Sequence, residues 1–113
     1  MENKTFNEWR DEAHALAVEK GWYEGETRKL PELLMLCVSE LSEALEEHRT
    51  GKRPDETYSL GDGKPEGVPT ELADCIIRIL DICGYYGIDI QTAMERKHAY
   101  NKTRPYRHGG KVV

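Results

Sequence analysis

The segment from residue 71 to residue 83 is apolar at every position except four. The exceptions are Glu71, Asp74, Arg78 and Asp81. At about 100° per residue, these four positions lie within an arc of about 80° on a helix. A helix that is apolar around most of its circumference is normally buried, so its narrow polar stripe is expected to be buried with it. Buried carboxylates are costly unless they are paired or bound to metal. The segment therefore predicts a buried helix with a functional acidic stripe.

A second pair of acidic residues lies upstream. Glu40 and Glu43 are three residues apart, so they project from one face of a helix, and Glu47 continues that face. Apolar neighbours place Glu40 and Glu43 on the side of the core, whereas for Glu47 a solvent-exposed acidic face stays open as the alternative. Carboxylates that face one another across two helices suit Mg²⁺, which prefers oxygen ligands, water and phosphate. The two pairs predict a metal-assisted reaction on a phosphorylated substrate.

The sequence predicts four helices, because apolar residues recur at helical spacing and no strand pattern competes with them. Thr5 or Asn7, Thr70 and Asp89 are the predicted caps of the first, third and fourth helices. Pro31 is a favoured first-turn residue for the second. The predicted ranges are 5–20, 31–49, 70 to 84 or 87, and 90–102. The predicted core side of the second helix comprises Leu33, Leu34, Leu36, Cys37, Leu41, Ala44 and Leu45.

These elements predict one all-α domain over residues 1–113, with a four-helix bundle-like arrangement. Residues 50–69 form a long irregular loop, either a lid or dimer contact or a mobile spacer. Residues 104–113 form a basic, turn-rich tail. The third helix has more apolar circumference than one small neighbour covers, so we expect it to oligomerise through its helices, as a homodimer or a dimer of dimers.

Composition restricts the partners and the compartment. The net charge is −5, which disfavours binding to nucleic acid polymers and to anionic membranes. The sequence has no apolar run of about 18 residues and no basic-then-apolar start, so membrane insertion and secretion are not expected. Three cysteines without Cys-x-x-Cys spacing indicate reduced thiols in a cytoplasmic protein.

With both acidic pairs in place, the chain resembles the MazG-like, all-α nucleoside triphosphate pyrophosphohydrolases. That superfamily includes relatives of dimeric dUTPases and dCTP pyrophosphatases. Its pattern of Glu-x-x-Glu followed, after a spacer, by Glu-x-x-Asp corresponds here to Glu40, Glu43, Glu71 and Asp74, with residues 44–70 as the spacer. The resemblance covers about residues 5–105.

The resemblance implies the chemistry. The four carboxylates would hold Mg²⁺, with Mn²⁺ as a substitute. The substrate would be a nucleoside triphosphate, cut between the α and β phosphates to give a monophosphate and pyrophosphate. Lys97 and Asn101 match the spacing of two phosphate-contacting residues of the family. The implied catalytic residues are Glu40, Glu43, Glu47 and Lys97, with Glu43 or Glu47 orienting the attacking water.

Two further positions bear on substrate binding. Trp22 resembles an aromatic residue near the base pocket of some members. Arg78 stands where dCTP pyrophosphatase-like members carry tyrosine, so their base preference does not transfer directly. Arg78 is expected either to contact a phosphate or to pair with Asp81.

Two other classes of protein are alternatives. A di-iron carboxylate bundle needs two Glu-x-x-His motifs and two more glutamates, and only Glu95 and His98 form such a motif here. A non-catalytic helical interaction module would explain the apolar third helix, but it leaves the four carboxylates and Lys97 without a role.

Overall fold

A computed structural model describes residues 3–25 and 27–113, and over these residues the protein is all-α. Within that part of the chain, β-type pairing is limited to an isolated antiparallel bridge between Tyr58 and Glu66. The last helix, α5 (Arg107–Gly110), is a single turn in which Arg107 and His108 have positive φ. The helices are α1 (Phe6–Glu19), α2 (Leu30–Arg49), α3 (Val68–Tyr86), α4 (Ile90–Thr103) and α5 (Arg107–Gly110).

Side-chain caps fix the start of two helices as predicted. The Thr5 hydroxyl accepts a hydrogen bond from the Glu8 amide, and the Glu8 carboxylate accepts one from the Thr5 amide. This reciprocal capping box starts α1. At the start of α4, the Asp89 carboxylate accepts a hydrogen bond from the Thr92 amide at 3.0 Å. The hydrogen bonds from Asn7 and Thr92 lower the pKa of Asp89 to about 2.

The prediction that Thr70 caps α3 was wrong. The cap is Gly67, and α3 begins at Val68 with a proline in its first turn. Gly67 has φ of 117°, and a side chain there would collide with the carbonyl oxygen of Glu56. Because only glycine accepts both the positive φ and this close approach, it fixes where the loop ends and α3 begins.

The core lies between α3 and its neighbours. Helix α3 packs against α2 on one side and α1 on the other, and α4 packs against α1. The α1 contact includes Gly84, where the backbone of α3 approaches the His14 side chain. Leu80 is 5% exposed, and burial of a leucine contributes about 1.5–3 kcal/mol. The buried residues of α2 recur at helical spacing and are Leu33, Cys37, Glu40 and Ala44.

Helices α2 and α3 run antiparallel. Glu40 lies against Arg78, whereas Glu43, one turn further along α2, lies near Glu71, two turns earlier in α3. The consequence is that one face of each helix carries both core residues and ionisable residues. On α3 this face comprises Glu71, Cys75, Arg78 and Ile82.

The predicted core side of α2 was only partly right, because Leu34, Leu41 and Leu45 are each about half exposed. They belong to a row on α2 in which each residue comes one position after a residue of the α2–α3 contact, a rotation of about 100° around the helix axis. A second row on α3 is related to its contact residues in the same way. In antiparallel helices this rotation turns both rows to the same side of the pair. We call these rows the apolar face; it consists of Leu34, Val38, Leu41, Leu45, Leu72, Ile76 and Ile79.

Two further expectations concern the cysteines and the membrane. Cys37, Cys75 and Cys83 are buried free thiols, as expected from the sequence. Burial raises the pKa of Cys37 and of Cys83. Among the helices of the described residues, none has both the length and the apolar character needed to span a bilayer.

Gly84→Ala is expected to destabilise the fold. The new methyl group would meet the His14 side chain and the Arg10 carbonyl, and overpacking of this kind costs about 1–3 kcal/mol. Urea unfolding should show a lower midpoint for this variant. Ala93→Ser adds one heavy atom at an exposed helical position, and it should change stability by no more than about 0.5 kcal/mol. An unchanged midpoint for Gly84→Ala would contradict the close packing of α1 on α3.

Candidate functional site

Three of the four family-pattern carboxylates meet between α2 and α3. Glu40, Glu43 and Glu71 each offer an oxygen, and these oxygens lie within 4.8 Å of one another. We call them the first trio. Glu40 is 7% exposed and Glu71 is 8% exposed, whereas Glu43 faces solvent. The acidic stripe predicted for the third helix is therefore buried at its most important position, Glu71.

Arg78 neutralises one member of the first trio. Its Nε atom donates to Glu40 Oε1 at 2.7 Å. The expected alternatives for Arg78 were a phosphate contact or a pair with Asp81. Asp81 instead accepts a hydrogen bond from the Tyr23 hydroxyl at 2.7 Å, and its other oxygen lies 2.9 Å from His14 Nδ1. Burial and the bond to Asp81 raise the pKa of Tyr23.

Glu71 has no such partner. Its Oε2 atom is buried and has no hydrogen-bond partner among the described residues. Burial raises the pKa of Glu71 to about 7, and the Glu43 carboxylate reinforces the shift. A buried acceptor without a donor normally costs about 1–3 kcal/mol. Glu71 thus has a buried carboxylate oxygen that no donor contacts among the described residues.

Asp74 lies beside the first trio and not in it. It is half-buried, and it lines a cavity together with Glu40 and Arg78. Burial raises the pKa of Asp74, with a further contribution from the Glu40 carboxylate, while Arg78 acts in the opposite direction. The four residues of the family pattern are therefore neighbours, although only three of them converge on one point.

A second trio shares Glu71 with the first. Oxygens of Glu47, Glu66 and Glu71 also lie within 4.8 Å of one another. Tyr58 reaches this group from the loop, because its hydroxyl lies 3.0 Å from each oxygen of Glu47. That hydrogen bond raises the pKa of Tyr58.

The second trio opens into a smaller cavity of about 430 Å³ that Lys64 also lines. Sequence reasoning missed Tyr58, Lys64 and Glu66. Their only signal is their position in the loop, because pairing across an irregular segment leaves no periodic pattern.

A larger cavity of about 560 Å³ borders the first trio. Trp22 lines it and is 63% exposed, and the Trp22 carbonyl accepts a hydrogen bond from Arg28 Nε at 2.9 Å. Lys97 and Asn101 line neither cavity. Both are exposed on α4, and the Lys97 ammonium lies 5.1 Å from the centre of the Tyr100 ring.

The sequence matches no known family profile, no curated protein and no solved structure. The chemistry of the site therefore rests on its own residues. Every member of the two trios offers carboxylate oxygen, and one of the oxygens is buried without a donor. This donor set fits a hard divalent cation better than zinc, which favours nitrogen and sulfur ligands.

Glu71→Gln is expected to change how stability depends on pH. The pKa of Glu71 is about 7 in the folded protein, whereas the ordinary value for a glutamate is 4.5. Glu71 therefore keeps its proton to higher pH in the folded state than in the unfolded state. The stabilisation that arises from this difference is complete below about pH 4.5 and is lost as the pH rises through about 7. In metal-free buffer at pH 8, Glu71→Gln should be more stable than the wild type by about 1–3 kcal/mol.

Urea unfolding at pH 5 and pH 8 measures the effect. The difference between Glu71→Gln and the wild type should shrink strongly at pH 5. Glu46→Gln changes an exposed glutamate on α2 and should follow the wild-type curve. Parallel curves for the wild type and Glu71→Gln would show that Glu71 ionises normally.

Proposed function

We propose that this protein is a Mg²⁺-dependent nucleoside triphosphate pyrophosphohydrolase of MazG-like type. In this proposal it hydrolyses an NTP or dNTP between the α and β phosphates and releases a nucleoside monophosphate and pyrophosphate. The observation that carries the proposal is Glu71, whose buried Oε2 has no partner inside a group of three carboxylates. The Glu-x-x-Glu and Glu-x-x-Asp pairs supply the resemblance to the family.

The first trio would hold the metal, with Asp74 beside it. When bound, Mg²⁺, or Mn²⁺ in its place, offsets the charge of the triphosphate and lowers the pKa of an attacking water. Arg78 balances the charge of Glu40. Because the Arg78 side chain is 41% exposed, we propose that it turns to a substrate phosphate once the carboxylates are occupied.

The larger cavity provides a place for the nucleoside. Its volume of about 560 Å³ lies within the range of small-molecule sites. We place the base against Trp22 and the phosphates toward Arg78 and Asp74, since all three residues line this cavity. Phosphate contacts from Lys97 and Asn101 rest on the family resemblance alone.

Glu43 and Glu47 are the two candidates for orienting the attacking water. The Tyr58 hydroxyl lies within hydrogen-bond distance of both oxygens of Glu47, which holds that carboxylate in place. Glu43 is exposed and lies in the first trio. We therefore assign the water to Glu43, and we propose a structural or ligand role for Glu47.

The contacts in the structure support the alternative functions less well. Glu95 and His98 are exposed on α4 and belong to neither trio, so the di-iron alternative has no support from them. A non-catalytic interaction module accounts for the apolar face but not for an unpartnered buried carboxylate. We therefore retain the hydrolase proposal.

Pyrophosphate release from a panel of ribo- and deoxynucleoside triphosphates with Mg²⁺ tests this function. At least one substrate should be turned over, and EDTA should abolish the reaction. Glu40→Gln, Glu43→Gln, Glu71→Gln and Asp74→Asn should each lower kcat/KM by about 100-fold or more, because ligand loss exceeds the roughly 10- to 100-fold cost of losing a supporting residue.

Glu46→Gln serves as the control, because Glu46 lines the smaller cavity but belongs to neither trio. It should keep near-normal activity. Retention of activity by two or more of the four site variants would refute the proposed site, and no pyrophosphate from any triphosphate would refute the function.

We further propose that a second copy of this chain covers the apolar face, giving a homodimer or a dimer of dimers. The spacing of Leu34, Val38, Leu41 and Leu45 is that of helices that pack in bundles. Two copies of the α2–α3 pair would together form a four-helix bundle. The three buried free thiols fit the reducing cytoplasm, where we place the protein.

Sedimentation velocity at micromolar concentration tests the assembly. The wild type should sediment as at least a dimer of the 13.0 kDa chain. Ile76→Glu should shift it toward the monomer, because an unpaired charge would be buried in the interface. Leu60→Glu changes an apolar loop residue that is 80% exposed, and it should leave the assembly unchanged. A wild-type monomer would contradict the proposal.

A further inference from the structure

The backbone of Trp22 is fixed at both of its polar groups. Its amide donates to the Ala17 carbonyl at 3.1 Å, and its carbonyl accepts from Arg28 Nε at 2.9 Å. The side chain nevertheless lines the larger cavity, and the residue is 63% exposed. Tryptophan is among the more buried residue types on average. An indole that is held in place but left open in a cavity offers a face on which a flat ring can stack.

Tyr23 connects this segment to α3. Its hydroxyl donates to Asp81 Oδ2 at 2.7 Å. The Tyr23 ring stacks on Tyr85 with the centroids 4.6 Å apart, and it meets the His14 ring edge to face at 5.1 Å. Because Tyr23 directly follows Trp22, these contacts bring the indole and Asp81 to the same end of the larger cavity, which both residues line.

Asp81 is held in position but keeps acceptor capacity. Its Oδ1 atom lies 2.9 Å from His14 Nδ1, and its Oδ2 atom accepts from Tyr23. Each carboxylate oxygen has two lone pairs, so each can accept one more hydrogen bond. The Asp81 side chain is 19% exposed. Burial and the bond to Asp81 raise the pKa of Tyr23, so the phenol keeps its proton and remains the donor. Asp81 therefore presents acceptors to the cavity.

The position of Asp81 along α3 relates it to the first trio. Asp81 follows Asp74 by seven residues, which is about two turns or 10.5 Å along the helix axis. Asp74 lies beside the first trio, and both aspartates line the larger cavity. A nucleotide with its phosphates near Asp74 and Arg78 would extend along α3. The edge of its base would then reach Asp81, with one face of the base on Trp22.

The bases differ in what their edges offer to a carboxylate. Guanine, cytosine and adenine each carry an exocyclic amino group, which donates hydrogen bonds. Uracil and thymine have a single N–H between two carbonyl oxygens, and a carboxylate repels those oxygens. A site that is built to accept a hydrogen bond rejects a ligand that lacks the donor. The charge and position of Asp81 thus favour the amino-bearing bases.

From these contacts we propose that Asp81 is a specificity-determining residue that favours nucleotides with an exocyclic amino group on the base over uracil and thymine nucleotides. That the ligand is a nucleotide rests on the proposed function. Trp22 supplies the stacking surface. Tyr23 and His14 are positioning residues, because they hold the Asp81 carboxylate at the edge of the cavity.

Calorimetric titration with α,β-imido deoxynucleoside triphosphates in Mg²⁺ measures binding without cleavage between the α and β phosphates. The wild type should bind the best of the guanine, cytosine and adenine analogues about 10- to 100-fold more tightly than the uracil and thymine analogues. Asp81→Asn offers a donor as well as an acceptor, and it should lower this ratio about 10-fold. Glu32→Gln changes another carboxylate that lines the same cavity, and it should keep the wild-type ratio.

Two results would overturn the proposal. One is a uracil or thymine analogue that binds the wild type as tightly as the best amino-bearing analogue. The other is a wild-type ratio in Asp81→Asn. Tyr23→Phe leaves Asp81 with His14 alone and should lower the ratio about 2- to 10-fold, whereas a purely structural role would weaken all analogues equally.

A measurement on the wild type keeps the test decisive if Asp81→Asn does not fold. The best-bound analogue is compared with one that lacks only the amino group: hypoxanthine for guanine, purine for adenine or 2-pyrimidinone for cytosine. The second should bind about 10-fold more weakly, and equal affinities overturn the proposal. Base preference in binding without pyrophosphate release would refute the hydrolase and leave the role of Asp81 standing. Turnover without base preference would do the reverse.

Discussion

The burial of carboxylates between two packed helices is the constraint on which the structure depends. Desolvation of an ionised carboxylate costs several kcal/mol unless a partner offsets it. Glu40 has Arg78 as its partner, whereas Glu71 has no donor for one oxygen. A fold selected for stability alone would place an apolar side chain at position 71. This unpartnered carboxylate oxygen is the observation from which we propose a partner outside the chain.

The surfaces of helices α2 and α3 fall into three regions. The contact between them holds the core and the buried carboxylates. One side borders the larger cavity, which Ile77, Arg78 and Asp81 of α3 help to line. The apolar face lies one residue further around each helix from the contact. The first trio lies between the two cavities, because Glu40 lines the larger and Glu43 lines the smaller.

Local patterns made much of this predictable from the sequence. Helical periodicity predicted the four long helices to within one or two residues, and Thr5 and Asp89 were recognisable as caps because a cap acts within one turn. The burial of Glu71 followed from the apolar residues around it. The cap of α3 was not predictable, because Gly67 is required by a contact with Glu56, eleven residues away.

Other features depend on contacts that periodicity does not encode. Leucines at positions 33 and 34 look alike in sequence, and only the side of α2 on which α3 packs determines that the first is buried and the second half-exposed. Arg78 was expected to contact a phosphate or to pair with Asp81. His14 and Tyr23 bind Asp81 instead, and Arg78 pairs with Glu40, which the sequence did not indicate. The pairing of Tyr58 with Glu66 belongs to an irregular loop and has no repeat to reveal it.

The bridge between Tyr58 and Glu66 also determines where this loop tolerates changes in length. Residues 59–65 lie between the two paired positions and are all exposed. Extra residues there would extend the tip and leave the pairing intact, since exposed loop tips accept insertions readily. One residue added between Glu66 and Gly67 would instead move the carboxylate relative to α3. The tip is therefore the place in this segment to attach a reporter or an added recognition element.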